Sequence, residues 1–155
     1  MDLSGTRIIA APRAVVWQHL NDPETLRAVI PGCEALEADE DGGFEATVRQ
    51  KIGPVRATFR GKVTLADVNA PESYRINGEG SGGIAGFAKG GADVRLCEVE
   101  GGTELSFAAE AQLGGKLAQL GNRLVGGVAR RVIDEFFDAF AAHVERAEPR
   151  AGAEK

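Results

Sequence analysis

Hydrophobic and polar residues alternate with a period of two through the middle of the chain. The alternation is clear in four runs, at residues 44–49, 55–65, 90–97 and 104–113. A period of two turns one set of side chains toward an apolar interior and the other toward water, as in an antiparallel sheet. Turn sequences rich in glycine and proline separate the runs, so the pattern predicts a meander of about six strands.

Helical patterns flank this predicted sheet. Residues 3–10 predict a first strand, and two short helices follow, opened by Pro12 and Pro23, because proline suits the first turn of a helix. After Gly115, apolar residues recur every three or four positions for about thirty residues, which indicates one long amphipathic helix. The sequence therefore predicts an α+β fold, in which a curved antiparallel sheet of about six or seven strands wraps around a long C-terminal helix.

Composition narrows the class of protein. The chain has 155 residues, 43% of them hydrophobic, and we expect one domain over residues 1–147 with a flexible polar tail over residues 148–155. A net charge of −5 argues against nucleic-acid binding. No apolar run reaches the roughly 18 residues that a membrane span needs. These features predict a cytoplasmic protein.

Residues capable of catalysis or metal binding are few. The two cysteines, Cys33 and Cys97, are predicted to be reduced, and their spacing from the two histidines matches no metal site. We expect His19 and His143 on the surface. No nucleophile motif or carboxylate pair is evident on the predicted inner face, so the residues predict neither a catalytic site nor a bound cofactor.

The predicted interior contains unusually small residues. The strand pattern turns Ala46, Ala57, Gly61, Gly78, Ala88, Gly90, Ala92, Ala109 and Ala111 inward, and the long helix contains Gly121, Gly126 and Gly127. Protein interiors are normally packed to crystal-like density. Small residues on both layers predict either a close approach of helix and sheet or a hollow between them, and we favour the hollow.

We expect apolar side chains from both layers to line this hollow and bind the ligand. They are Phe59, Val63, Ile76, Phe87, Val94, Leu96, Leu105, Phe107, Leu120, Leu124, Val128 and Phe136. Four glycines are expected to shape it, namely Gly61, Gly90, Gly121 and Gly127.

A series of different short motifs extends along the chain from Leu3 to about Phe140. They are Ala11-Pro12 with Val16-Trp17, Leu20-Asn21-Asp22-Pro23, Ile30-Pro31-Gly32-Cys33, Gly53-Pro54-Val55, Gly78-Glu79-Gly80, Gly86-Phe87-Ala88-Lys89-Gly90, Gly102-Thr103-Glu104-Leu105 and Gly115-Lys116-Leu117-Ala118-Gln119-Leu120-Gly121. Through these motifs the chain resembles the family of the G subunit of carbon monoxide dehydrogenase, within the helix-grip (START-like, SRPBCC) superfamily.

The resemblance implies a noncatalytic accessory protein of a molybdenum-containing carbon monoxide dehydrogenase or a related hydroxylase. Such a protein would recruit the enzyme or deliver its electron acceptor, and would hold an apolar molecule such as a quinone or a lipid between sheet and helix. Relatives that act as membrane anchors have a longer C-terminal extension than this chain. We therefore expect at most transient contact with the inner face of the membrane.

Two alternatives stay open. Helix-grip relatives include cyclases and aromatases of polyketides, which need polar groups inside the cavity. Here only Tyr74, Ser106, Gln112, Asn122 and Arg123 are candidates to supply them. The other alternative is an assembly factor that binds no ligand and acts through its surface.

Overall fold

The computed structural model describes residues 1–40 and 42–147, and the predicted tail at 148–155 lies outside these described residues. The elements in chain order are β1 (Asp2–Ile9), α1 (Arg13–Leu20), α2 (Pro23–Val29), β2 (Cys33–Ala38), β3 (Phe44–Ile52), β4 (Val55–Asn69), β5 (Ser73–Ser81), a 3₁₀ turn (Gly83–Ala85), β6 (Phe87–Val99), β7 (Gly102–Gly114), α3 (Lys116–Leu120) and α4 (Asn122–Ala147).

Seven antiparallel strands form one sheet in the order β1-β7-β6-β5-β4-β3-β2. The strands from β2 to β7 are a meander, and β1 pairs with the last strand, so that Gly5 lies opposite Phe107. We call the side of the sheet that faces α4 the inner face. Phe107 belongs to it and stacks on Phe137 of α4, with 5.4 Å between ring centroids. The predicted α+β architecture is confirmed.

The two short helices begin as their sequences indicate. Pro12 precedes α1 in an extended conformation. Asp22 caps α2, because its side chain accepts a hydrogen bond from the backbone N–H of Glu24 at 3.2 Å, and Pro23 occupies the first helical position. The predicted pair of helices after the first strand is therefore confirmed.

The C-terminal helix differs from the prediction in one respect. The sequence pattern predicted one helix from Gly115 onward, but the chain forms a short α3 and then α4 of 26 residues. Gly121 separates them with φ of +89°, a left-handed conformation that interrupts an α-helix and that glycine adopts most readily. At 1.5 Å per residue, α4 is about 39 Å long.

The tightly packed core occupies one end of the molecule, which we call the core end. Its most buried side chains are Ile9, Leu96, Leu105, Phe140 and Val144. They come from β1, β6, β7 and the C-terminal half of α4, and α1 closes the cluster from the side. The C-terminal half of α4 is thus the part of the helix that the core holds.

Strand β1 provides a second attachment for α4. Arg7 forms an ion pair with Asp134 of the helix, and its guanidinium carbon lies 5.5 Å from the centre of the Phe137 ring. Nearer the start of α4, the sulfur of Met1 lies 3.5 Å from the position of a Cβ on Gly126. The helix therefore runs beside β1 along much of its length. Within residues 1–40 and 42–147, every helix is too short or too polar to cross a bilayer.

Replacing a core-end side chain tests the strand register. We expect Leu105→Ala to lower the free energy of unfolding by about 2–5 kcal/mol, because the leucine is fully buried. Ile8→Ala is the control, since Ile8 is exposed on the outer face, and should change the value by less than about 0.5 kcal/mol. Urea unfolding monitored by circular dichroism measures both, and similar losses in the two variants would contradict the register.

Candidate functional site

The small residues predicted to face inward do lie on the inner face, and most lie away from the core end. Ala46 is an exception, because it packs against a second buried cluster formed by Leu26, Leu36 and Phe44. We call the end opposite the core the hairpin end, because it contains the β3–β4 turn at Gly53, the β5–β6 link at 82–86 and the β7–α3 link at Gly115. Along β4, inward-facing residues such as Ala57 and Gly61 are half-buried, and the residues between them are exposed. The strand pattern was therefore a correct guide to the faces of the sheet in this region.

Both layers keep apolar surface exposed where they face each other near the hairpin end. On the sheet, Val63 and Ala92 are half-buried, whereas inner-face residues at the core end are buried. On α4, Ala129 and Val132 are half-buried, although they lie on one stripe between Val125 and Phe140, which are both buried. The layers are thus less completely packed here, and we call the region between them the cleft.

Two inner-face glycines have room for a side chain. A Cβ on Gly61 would have its nearest neighbour at 3.4 Å, and a Cβ on Gly78 would have its nearest at 3.5 Å, both ordinary contact distances. The strand pairing therefore does not require glycine at these two positions. Glycine there leaves the cleft wider than a larger residue would. Gly90 is different, because a Cβ there would overlap the carbonyl oxygen of Glu110. Gly90 was predicted to shape the cavity. In the structure, its lack of a side chain instead allows β6 and β7 to approach closely.

The predicted helix wall lies on one flank of α4 and opens to solvent. A groove of about 520 Å³ runs along this flank, lined by Leu120, Arg123, Leu124, Gly127, Val128 and Arg131. Leu124 reaches the β3–β4 turn, where its side chain lies 2.8 Å from the position of a Cβ on Gly53. Gly127 is exposed and has open space around it, so it borders the groove rather than a closed cavity. Gly121 ends α3 instead of lining the groove.

The remaining predicted lining residues divide between the cleft and the core. Phe59 and Val63 are half-buried on the inner face, and Ile76 is half-buried there and packs against the core. Phe107 and Phe136 pack partly against the core through the aromatic group around Phe137, and Val94, Leu96 and Leu105 are buried within the core. These last three side chains hold the sheet to α4 at the core end and do not line the cleft.

Phe87 was wrongly assigned to the inner face. The residue pairs with Ser81 and Gly114 on the outer face, and it is 50% exposed. Its ring occupies the space beside Gly114, where any side chain would overlap it. The alternation of β6 already implied this outward position, because Ala88 and Gly90 face inward and Phe87 is next to Ala88 in the strand.

The five polar residues required by the enzyme alternative do not converge. Ser106 and Gln112 point to the outer face, and Asn122 and Arg123 are exposed at the start of α4. Tyr74 is buried in the core beside Trp17, 5.1 Å away between ring centroids. Burial raises the pKa of the Tyr74 phenol above its ordinary value, so the group stays protonated at neutral pH.

A polar cluster that the sequence did not suggest joins three helices at the core end. Thr25 of α2 is only 1% exposed, and its hydroxyl lies 2.9 Å from Asp22 Oδ2, 2.9 Å from His19 Nδ1 and 3.5 Å from His143 Nε2. The hydroxyl has one proton, which it donates to the carboxylate, so it accepts from His19 Nδ1–H. The prediction that both histidines lie on the surface is wrong, because the fold brings α1 and α4 together over Thr25.

This histidine pair does not have the arrangement of a metal centre. Within the described ranges, no three His, Cys, Asp or Glu side chains are placed to hold a metal ion. The imidazoles meet edge to face with centroids 5.5 Å apart, and both approach the Thr25 hydroxyl. The cluster therefore ties the helices together, and no sequence pattern indicated it because His143 lies 118 positions from Thr25.

A second groove lies on the outer face of the sheet. It measures about 740 Å³ and crosses five strands, with a lining that includes Lys62, Asn77, Glu79, Lys89 and Gln112. Although this groove is larger than the one along α4, its mixed charges and amides do not suit an apolar ligand. We therefore place the candidate site on the inner side.

Charge is unevenly distributed along the chain and in space. Residues 46–66, 80–92 and 111–133 contain ten of the 18 Lys and Arg residues and none of the 23 Asp and Glu residues. These segments form much of the hairpin end and the N-terminal half of α4. Ile84, at the tip of the β5–β6 link, is 90% exposed there. The hairpin end therefore combines positive charge with exposed apolar surface, although the whole chain is acidic.

A curved antiparallel sheet that grips one long C-terminal helix, with two short helices after the first strand, places the chain in the helix-grip class of α+β proteins. Within that class, the sequence model of the CoxG family, the G subunit of carbon monoxide dehydrogenase, matches residues 5–145. The chain belongs to this family. A comparison with curated proteins gave no match.

Solved structures agree with this assignment. A conserved protein from Geobacillus kaustophilus is 28% identical with a TM-score of 0.87, and the match covers 95% of this chain and 97% of that one. The protein TTHA0849 from Thermus thermophilus is 17% identical with a TM-score of 0.71, over 96% of this chain and 99% of that one. The Zhui aromatase/cyclase from Streptomyces sp. R1128 is 15% identical with a TM-score of 0.69, over 94% of each chain. The last two show a shared fold.

Removing the central hydroxyl of the polar cluster tests its structural role. We expect Thr25→Val to lower the free energy of unfolding by about 1–3 kcal/mol, because the shape is kept while a half-buried carboxylate and an imidazole N–H lose their partner. Thr58→Val, on the exposed outer face of β4, is the matched control. Thermal unfolding of both variants provides the measurement, and equal stability would show that the cluster contributes nothing to the fold.

Proposed function

We propose that this protein is a noncatalytic binding protein that holds an apolar small molecule in the cleft between the sheet and α4. The proposed ligand is quinone-like or lipid-like. The observation that supports it is the half-buried apolar surface that both layers retain near the hairpin end. Exposed apolar surface in a concave region gains free energy when an apolar molecule covers it, at about 25 cal/mol per Å².

The chemistry of the cleft favours this class of ligand. The inner-face side chains of β4 from Val55 to Leu65 are all aliphatic, aromatic or absent. Sites of this kind bind through apolar contact and use a few polar groups for orientation. Leu124 and Val128 add apolar surface along the neighbouring groove on the flank of α4. A flat ring or a short isoprenoid chain fits such a lining better than a charged metabolite does.

The proposed partner follows from family membership. The family is named for a component of carbon monoxide dehydrogenase, and we propose that this chain serves an oxidoreductase of that molybdenum-containing type. Its role would be to recruit the enzyme or to deliver an electron acceptor to it. A quinone unites the two parts of the proposal, because it is both apolar and reducible.

An enzymatic function in the manner of the aromatase/cyclase has weaker support. The likeness to that enzyme concerns the fold, and fold alone does not assign chemistry. The polar residues that would be needed lie on the outer face, at the start of α4 or in the core. The remaining alternative, an assembly factor without a ligand, predicts a protein that purifies empty and still binds a component of the dehydrogenase.

We further propose that the hairpin end makes the transient contact with the membrane. Positive charge near an anionic leaflet contributes about 1 kcal/mol per Lys or Arg, and an exposed isoleucine can enter the interface. Lys51, Lys116 and Arg123 are exposed at this end together with Ile84. Contact in this orientation would place the opening beside α4 at the lipid surface, where an apolar ligand could pass without crossing water.

Filling the cleft tests the binding proposal. We expect Ala92→Leu to reduce the amount of copurified or added quinone that native mass spectrometry detects, because Ala92 is half-buried on the inner face where the proposal places the ligand. If the cleft is open there, the melting temperature stays equal or rises. Ala108→Leu is the control, since the neighbouring strand β7 turns this alanine to the outer face. Neither its ligand content nor its melting temperature should change.

The melting temperature also tests the open space on which the proposal depends. In a tightly packed interior, an added leucine side chain costs typically about 1–3 kcal/mol through strain. A loss of this size in Ala92→Leu but not in Ala108→Leu would contradict an open cleft. A wild-type protein that takes up no quinone and no lipid would contradict the binding proposal itself.

Vesicle sedimentation tests the membrane contact. We expect the protein to bind vesicles that contain phosphatidylglycerol, to bind neutral phosphatidylcholine vesicles less, and to dissociate as salt increases. Ile84→Ser should weaken binding at the hairpin end. Ile8→Ser, which removes an exposed isoleucine elsewhere on the outer face, should have no effect. Equal loss in both variants would contradict the proposed orientation.

A further inference from the structure

One polar side chain interrupts the apolar lining near the hairpin end. The inner-facing residues of β3 are Phe44, Ala46, Val48, Gln50 and Ile52, and those of β4 are Val55, Ala57, Phe59, Gly61, Val63 and Leu65. Across these two described strands, Gln50 is the inner-facing residue with a polar side chain. It lies opposite Ala57, three residues before the β3–β4 turn, and it is half-buried. A glutamine in this position needs a physical reason.

The orientation of its amide follows from a single hydrogen bond. Gln50 Nε2 lies 2.7 Å from the carbonyl oxygen of Pro31, in the link between α2 and β2. A carbonyl oxygen only accepts, so the amide nitrogen must occupy this position and the amide oxygen must point away. Gly32 makes room for this contact, because a Cβ there would lie 3.1 Å from Nε2 and would overlap the carbonyl oxygen of Arg49. The amide is therefore held in one orientation before any ligand arrives.

The same hydrogen bond leaves part of the amide available. The NH₂ group has a second N–H, and the amide oxygen has two lone pairs. Within residues 1–40 and 42–147, the side chain makes no hydrogen bond other than that to Pro31. Water can satisfy these groups while the cleft is empty. A ligand that displaces the water without replacing its hydrogen bonds would leave them unsatisfied, at a cost of about 1–3 kcal/mol.

We infer that Gln50 is the polar anchor of the cleft and selects an apolar ligand that presents a carbonyl or hydroxyl oxygen to its free N–H. The inference rests on the proposed binding function and gives it a chemical class. A hydrocarbon of the same shape would fill the same space but would leave the amide unpaired. A ring with carbonyl oxygens at its edge, as in a quinone, satisfies the donor and keeps its apolar face against Val48 and Phe59, the inner-face neighbours on β3 and β4.

A matched pair of probes separates the anchor from the general apolar effect. The probes are 2-methyl-1,4-naphthoquinone and 2-methylnaphthalene, which have the same ring system with and without carbonyl oxygens. We expect titration calorimetry of the wild-type protein to show about tenfold tighter binding of the quinone, which corresponds to one hydrogen bond. Gln50→Met, similar in volume and without a donor, should lose most of this preference while its affinity for the hydrocarbon is kept.

Two further variants make the result decisive. Gln50→Leu should repeat the loss with a different side-chain shape, and Gln112→Leu, on the outer face of β7, should leave both affinities unchanged. If Gln50 only ties β3 to the α2–β2 link, its replacement would change both affinities by the same factor or change neither. Either outcome overturns the anchor and leaves the binding proposal in place. If the wild-type protein binds neither probe, the binding proposal fails and the anchor fails with it.

Discussion

The packing of the C-terminal half of α4 against the core end is the interaction on which the rest of this structure depends. Phe140 and Val144 are fully buried there against Leu105 and its neighbours, and the ion pair between Arg7 and Asp134 lies beside them. The N-terminal half of α4 is attached at fewer points, through the buried Val125 and through Leu124 beside Gly53. A helix packed closely over the central strands along its whole length would leave no cleft, and one attached nowhere would not stay on the sheet.

The fold was predictable from the sequence because the sheet buries one face. A strand shifted by one residue would expose its whole apolar set, so the alternation around Phe59 and Phe107 specified both register and inner face. The assignment of Phe87 departed from this rule, because the inward Ala88 and Gly90 already turn Phe87 outward and only its hydrophobicity favoured the interior. The rule itself failed at Gly121, which adopts a left-handed conformation that ends α3. Apolar periodicity contains no information about such a break.

The site was less predictable than the fold, for a different reason. The small inner residues were visible as a pattern, but Gln50 was not, since one glutamine in a strand resembles an ordinary surface residue until its hydrogen bond to Pro31 is known. The cluster of His19, Thr25 and His143 likewise depends on contacts between residues as many as 124 positions apart. Such groups become recognisable only when the tertiary structure shows which residues meet.

The division between a packed end and an open end couples ligand binding to the stability of one half of the molecule. Glycine and alanine at Gly61, Gly78 and Ala92 bury little apolar area, so the hairpin end receives less hydrophobic stabilisation than the core end. A ligand in the cleft would supply the missing contacts and would stabilise the folded state in proportion to its occupancy. The parts that would respond most are those with exposed apolar side chains near the cleft, namely the β5–β6 link at Ile84 and the start of α4 at Leu124. Arg123, at the start of α4, belongs to the positive surface proposed to meet the membrane, so filling the cleft would order part of that surface. Loading and release would then change the docking surface directly, without any movement of the core.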